Sequence, residues 1–271
     1  MFWQRVITIL VLLPPVIAAI FYLPTGNLGY IIAAVWALGA WEWTAFMQKD
    51  SGAAKATYVI LILLSCIAVA QFGDVLRLPV LLITAAWWLL ALRWVLTYPQ
   101  GFDPITAGWR GRTPWVGLFV LVPSALVLVD IHGGQQGPER ILFLFFLVWG
   151  ADVGGYVGGR LFGKTKLAPK VSPGKTWEGV AGGVLFSAAV AAVGAWYFQL
   201  GAELWKFVIL AMAVVAMSIV GDLTQSMFKR AVALKDSGNI FPGHGGILDR
   251  LDSTMAAAPL WWLGMILLGM A

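Results

Sequence analysis

Charge is what this sequence has least of. Asp, Glu, Lys and Arg together make up 11% of its 271 residues, while 60% are hydrophobic. Soluble domains carry about 25% charged residues. A chain so poor in charge cannot cover a globule in water, and most of its surface must face lipid. The mean hydropathy of +0.84 agrees. Cysteine is nearly missing as well. The single Cys66 lies in the apolar run 60–70, which excludes a disulfide or a cysteine-based metal framework. Internal repeats, low-complexity tracts and a separate soluble domain are also lacking. The net charge is +5. A nucleic-acid binder would gather its basic residues on one face of a soluble fold. Here they fall in short loops between apolar runs, which points away from nucleic acid and toward membrane topology and phosphate-bearing ligands.

What is abundant fits the same solvent. The 15 Trp suit the headgroup boundary, and apolar runs recur at the length that crosses a bilayer core, about 20 residues. We place them at 6–23, 28–47, 56–72, 78–98, 115–131, 141–162, 177–200, 203–223 and 254–270. The expected fold is therefore all-α: a polytopic transmembrane bundle of about nine spans, the first of them a retained helix rather than a cleaved signal. With a cytoplasmic N-terminus, the cytoplasmic side collects Arg5, Lys49, Lys55, Arg110, Arg112, Lys164, Lys166, Lys170, Lys175, Lys229, Arg230, Lys235 and Arg250. The outer loops keep only Arg77, Arg140 and Lys206. That asymmetry supports the orientation. A polar linker, 99–113, divides an N-terminal scaffold, 1–113, from a C-terminal half, 114–271, whose cytoplasmic loops are expected at 163–176 and 224–253.

Acidic groups are costly in a bilayer, about 2.5–3.5 kcal/mol each on insertion scales, so each is a functional candidate. Glu42, Glu178, Asp222 and Asp252 fall near cytoplasmic helix ends, where reaching the interface is the plain explanation for Glu42 and Glu178. Asp152 falls near mid-helix, inside GADVGGYVGGRLFG, whose glycines at 150, 154 and 158 and at 155, 159 and 163 form rows that let helices approach closely. Residues 158–165, GGRLFGKT, match the phosphate-loop pattern. The pattern needs a strand before it and a helix after it; a membrane helix precedes it here, and Pro169 and Pro173 follow, so we reject it. The next segment, SPGKTWEG, offers Ser172, Lys175 and Thr176 as donors to phosphate around a Pro173-Gly174 turn, with Glu178 opening a helix.

The densest polar stretch is 221–252, GDLTQSMFKRAVALKDSGNIFPGHGGILDRLD. It gathers Asp222, Asp236, Asp249 and Asp252 with Lys229, Arg230, Lys235, Arg250, Ser226 and His244. Phosphoryl chemistry asks for such a mixture: carboxylates to hold a hard divalent ion, and cations to neutralise phosphate in the transition state. Asp249 and Asp252 share a face if helical, and the glycines around His244, including Gly245 and Gly246, admit close backbone approach.

This stretch resembles the signature of the phosphatidate cytidylyltransferase (CDP-diacylglycerol synthase) family. The matching elements run Ser226, Phe228, Lys229-Arg230, Lys235-Asp236, Gly238, Phe241-Pro242, His244-Gly245-Gly246 and Asp249-Arg250-Leu251-Asp252. The likeness extends through Gly221-Asp222-Leu223, 172–179 and the Asp152 helix. It implies transfer of a cytidylyl group from CTP to phosphatidic acid with Mg²⁺ as cofactor, and it leaves open a second, monovalent cation. It also implies a homodimer among membrane lipids, in the bacterial inner (plasma) membrane with the active site facing the cytoplasm. Under this resemblance Asp222, Asp249 and Asp252 would ligate the metal. Lys229, Arg230, Lys235 and Arg250 would hold phosphates, with Ser226, Asp236 and His244 completing the catalytic set. Asp152, Ser172, Lys175, Thr176, Glu178, Gly245 and Gly246 would line the substrate site. A CTP-dependent lipid kinase and a transporter of anionic solutes remain as alternatives.

Overall fold

The computed structural model describes residues 2–100, 111–241 and 245–270. Among these are nine α-helices: α1 (Phe2–Tyr22), α2 (Thr25–Trp43), α3 (Gly52–Gln71), α4 (Gly73–Thr97), α5 (Thr113–Gly133), α6 (Gly137–Phe162), α7 (Trp177–Tyr197), α8 (Leu204–Ala231) and α9 (Leu248–Leu267). A short antiparallel hairpin, β1 (Lys166–Ala168) and β2 (Ser172–Thr176), joins α6 to α7. Among the described residues, six helices are long and apolar enough to cross a membrane: α3 to α8, with α4 counted from Val75. The count of about nine spans is thus met as nine helices, of which six qualify by length and composition. In α2, glycines, tryptophans and Glu42 dilute the apolar run; in α9, Asp249, Arg250 and Asp252 occupy its first turns.

Consecutive helices alternate in direction, so the contacts sort to two ends of the bundle. At one end His132 of α5 sits between the Thr25 hydroxyl (2.9 Å) and the Ile20 carbonyl (2.8 Å), while Arg77 of α4 pairs with Asp130 at 2.9 Å. At the other end Trp43 of α2 donates its indole N–H to the Thr113 carbonyl at 3.0 Å, and Tyr58 of α3 donates to the Pro114 carbonyl at 3.0 Å. Between them the core is aromatic and aliphatic: Phe143, Phe198, Phe207 and Trp261 form one ring cluster across α6, α8, α9 and the end of α7. Midway, the Trp36 indole N–H donates to the Ser124 hydroxyl at 2.9 Å, joining α2 to α5.

The glycine rows do the packing expected of them. α6 and α7 form the most extensive helix pair, because glycines from both helices meet where they cross. A Cβ on Gly158 would stand 2.8 Å from the Glu178 carbonyl oxygen, one on Gly183 2.7 Å from that of Ala151, and one on Gly154 would strike the Gly182 backbone. Gly154→Leu is therefore expected to destabilise the pair by about 1–3 kcal/mol. Thermal denaturation of the detergent-solubilised protein checks this: the midpoint should fall by several degrees, and an unchanged midpoint would contradict the packing.

Three boundaries differ from expectation. α8 continues eight residues past 223, because nothing in TQSMFKRA breaks a helix; it stops only where Ala233 takes a positive φ of 56°. α9 begins at Leu248, six residues before 254, so the acids at 249 and 252 are helical. The segment 224–253 is thus a loop only between these two helix ends. The turn of the hairpin lies at 169–171, where the Val171 N–H donates to the Ala168 carbonyl at 3.1 Å, while Pro173 and Gly174 belong to β2.

Candidate active site

Four elements converge at one end of the bundle. Asp222 lies inside α8, nine residues before its end, and one turn on, Ser226 donates its hydroxyl to Asp222 Oδ1 at 3.3 Å. Lys175 of β2 forms an ion pair with the other oxygen of Asp222. Asp152 of α6 and Asp252 of α9 both stand within electrostatic reach of Asp222 and of each other. The approach of α9 depends on Gly221, since a Cβ there would run into the Asp252 carbonyl and the Ala256 methyl. The field of Arg250 also reaches Asp152, and that of Lys229 reaches Asp252. Three carboxylates so placed repel one another in a medium of low dielectric. Lys175, Lys229 and Arg250 counter part of this charge.

Asp249 does not join this group. Its Oδ1 receives Lys229 Nζ at 2.7 Å in a buried ion pair. Its Oδ2 accepts from the Ser237 N–H (2.8 Å), the Ser237 hydroxyl (2.9 Å) and the Gly246 N–H (2.9 Å). Both oxygens are engaged in holding the chain between α8 and α9. Gly245 beside it has a positive φ of 82°, and a Cβ there would stand 2.6 Å from Asp249 Oδ2. The sequence reading of Asp249 as a ligand and of Lys229 as a phosphate contact therefore meets a pair already bonded to each other. Although three residues apart on one helix, Asp249 is bonded to Lys229 and the loop, while Asp252, whose Oδ1 accepts the Ser253 N–H at 2.8 Å, lies within electrostatic reach of Asp222 and Lys229.

Arg230, Lys235, Asp236 and Arg250 are exposed around this end. Arg230 Nε reaches the Val171 carbonyl at 3.4 Å, tying the hairpin to α8. His244, with Pro242 and Gly243, lies outside the described residues. Thr176 and Glu178 turn out to be builders of the hairpin. The buried Thr176 caps α7 by accepting the Gly179 N–H at 3.1 Å. Glu178 accepts the N–H groups of Lys164 and Thr165, each at 3.1 Å. Those amides lie in the rejected phosphate-loop motif, and their engagement by a carboxylate leaves no cradle for phosphate. Ser172 pairs with Ala168 across the hairpin. From this segment Lys175 alone reaches the acids.

Glu42, set aside in the sequence as an acid at the interface, is buried, with 6% of its surface exposed. It stands against the loop that leads into α9, accepting the Ile247 and Leu248 N–H groups at 3.0 and 2.9 Å. Only an acid in the last turn of an otherwise apolar helix signalled it, and its distance from the 221–252 stretch hid the connection.

Fold and site together define an integral membrane protein with an acid-rich, lysine-countered centre at one end of its bundle. The chain matches the model of the Cytidylyltransferase family over residues 3–268 and belongs to that family. It is 43% identical over 259 residues to a phosphatidate cytidylyltransferase of Pseudomonas aeruginosa, covering 95% of this chain and 94% of that protein. It is 38% identical over 283 residues to one of Haemophilus influenzae, covering 95% and 96%. A Brucella suis phosphatidate cytidylyltransferase is 42% identical over 166 residues, 57% of this chain and 58% of that protein.

Proposed function

We infer that this chain transfers the cytidylyl group of CTP to phosphatidate, giving CDP-diacylglycerol and pyrophosphate. The observation that carries the mechanism is the convergence of Asp152, Asp222 and Asp252 with Lys175 in a bundle otherwise apolar. Mg²⁺ fits this donor set. It takes oxygen ligands and is usually held through one or two carboxylates, with substrate phosphates and water supplying the rest. Among the described residues no three His, Cys, Asp or Glu side chains form a metal-holding group, so no more than two carboxylates are asked to hold the ion. We assign Asp222 and Asp252 as its holders, with Asp152 adding charge, and Asp249 as the anchor of the loop. Bound there, the ion would offset charge on the α-phosphate and the leaving pyrophosphate.

The protein's own groups then have defined tasks. Lys175 neutralises Asp222 and would be free to turn to a phosphate if a bound ion took over that charge. Arg250, exposed at the start of α9 and electrostatically coupled to Asp152, is set to receive the lipid phosphate. Ser226 holds Asp222 by its hydroxyl. A phosphate oxygen of phosphatidate attacks the α-phosphorus, that new P–O bond forms, and the bond to pyrophosphate breaks. No protein base is required, because a phosphate monoester is already largely ionised at neutral pH, its second pKa being about 6. An apolar cavity of about 630 Å³ lined by Phe143, Phe146, Trp149, Val153, Phe186 and Val190 supports a place for acyl chains. It reaches Gly150 and Val153, on the turn that carries Asp152. The excess of Lys and Arg at the site's end of the bundle supports a cytoplasmic active site, and the same proposal includes a homodimer.

The test is the purified protein in mixed micelles with labelled CTP, phosphatidate and Mg²⁺. Labelled CDP-diacylglycerol and equimolar pyrophosphate are expected, abolished by EDTA and restored by excess Mg²⁺. Release of CDP with phosphorylation of a lipid alcohol would contradict the assignment.

A further inference from the structure

We propose that Glu42, from the N-terminal part of the chain, is a positioning residue for cytidylyl transfer. The inference rests on the functional reading above and extends it to a helix outside the acid-rich stretch. Glu42 is the penultimate residue of α2. Its own position is rigid, because the next residue, Trp43, is 1% exposed and packs against Phe46 and Phe228 with ring centroids 5.2 and 5.5 Å away. From there the carboxylate crosses to the start of α9. Oε1 accepts the Ile247 N–H at 3.0 Å, and Oε2 accepts the Leu248 N–H at 2.9 Å and the Ser237 hydroxyl at 3.1 Å. The first amides of a helix have no partner within it, and α9 has no capping side chain of its own. Glu42 takes that place from another helix, 205 residues away in sequence.

The loop is shaped around this group. A Cβ on Gly238 or on Gly246 would collide with the Glu42 carboxylate, so these glycines let the backbone wrap it on two sides. The Ser237 hydroxyl stands between Glu42 Oε2 and Asp249 Oδ2, at 3.1 and 2.9 Å, and its single proton serves both carboxylates. Glu42, Ser237, Asp249 and Lys229 thus form a chain of polar contacts from α2 through the loop to α8. What this chain fixes is the register of the first turn of α9. Asp252 lies one turn beyond the amides that Glu42 holds, so any slip there moves Asp252 relative to Asp222. Glu42 touches neither substrate nor reacting atoms in this arrangement; it acts through α9.

Glu42→Gln tests the role. It is nearly isosteric but places an N–H₂ against backbone N–H groups, so one of the two amide contacts must be lost. In the full-length enzyme, kcat is expected to fall by about 10–100-fold, as for small misplacements of catalytic groups. The half-saturating Mg²⁺ concentration should rise several-fold, because the acids no longer meet in register. A merely structural role would lower the folded fraction and leave the Mg²⁺ dependence where it was. Ser237→Ala, which spares both amide contacts, keeps the test open should Glu42→Gln misfold. It should raise the half-saturating Mg²⁺ in the same direction, and adding it to Glu42→Gln should cause little further loss. A kcat and Mg²⁺ dependence unchanged in both variants, or a loss in step with the folded fraction alone, would overturn the inference while leaving the activity assignment intact. A wild-type protein that makes no CDP-diacylglycerol would overturn both.

Discussion

Asp222→Asn is expected to reduce cytidylyl transfer by about a hundredfold or more while leaving the fold in place. Asp222 is the acid on which the site converges: Lys175 pairs with it, Ser226 donates to it, and the charges of Asp152 and Asp252 both act on it. Asn keeps the shape and one acceptor but removes the charge that would hold a divalent ion. A loss of only about 2.7 kcal/mol in transition-state stabilisation already amounts to a hundredfold. Since the side chains of Asp222 and Lys175 are 24% and 28% exposed, losing Asp222 leaves a lysine that still reaches solvent, so stability should change little. Steady-state rates on purified protein, beside a thermal denaturation curve, separate the two quantities. A variant that keeps near-normal turnover in Mg²⁺ would remove Asp222 from the chemistry.

Breaking the Lys229–Asp249 pair is expected to do the reverse, harming the fold first. The side chains are 10% and 5% exposed and 2.7 Å apart. Removing one partner of a buried pair leaves the other charge uncompensated, at a cost of about 3–5 kcal/mol. Asp249→Asn also weakens three bonds to Ser237 and Gly246, so the loop into α9 should loosen with it. Lys229→Met should be comparably damaging. The double variant Lys229→Met with Asp249→Leu should recover much of the lost stability, because two apolar side chains leave no buried charge. Denaturation midpoints of the three variants in one detergent decide it. Were Asp249→Asn as stable as the parent but inactive, Asp249 would return to the role of metal ligand that the sequence suggested.

The bundle was legible because its cause is local. Runs of about 20 apolar residues have one solution in lipid, helices with every backbone group bonded within the segment. The helix ends at the site were not. Polar residues such as Thr224, Gln225 and Ser226 read as loop by hydropathy, yet they are buried in α8, where packing against α9 decides their state. The acid-rich stretch could be recognised from its composition, but the division of labour within it could not. Spacing puts Asp249 and Asp252 on neighbouring positions of one helix face; only the fold bonds Asp249 to Lys229 and leaves Asp252 in the field of Asp222. Thr176 and Glu178 show the same limit, since a hydroxyl or carboxylate that caps a helix and one that meets a ligand look alike in sequence. Glu42 was furthest from view, because its partners lie about 200 residues downstream.

Asp222 and Asp252 are proposed to hold a divalent ion where nucleotide and lipid phosphate meet. Mn²⁺ binding to the purified protein in the presence of CTP, followed by electron paramagnetic resonance, addresses this most directly. Saturable Mn²⁺ binding is expected, competing with Mg²⁺ and lost in Asp222→Asn and in Asp252→Asn. Undiminished Mn²⁺ binding in both folded variants would contradict it.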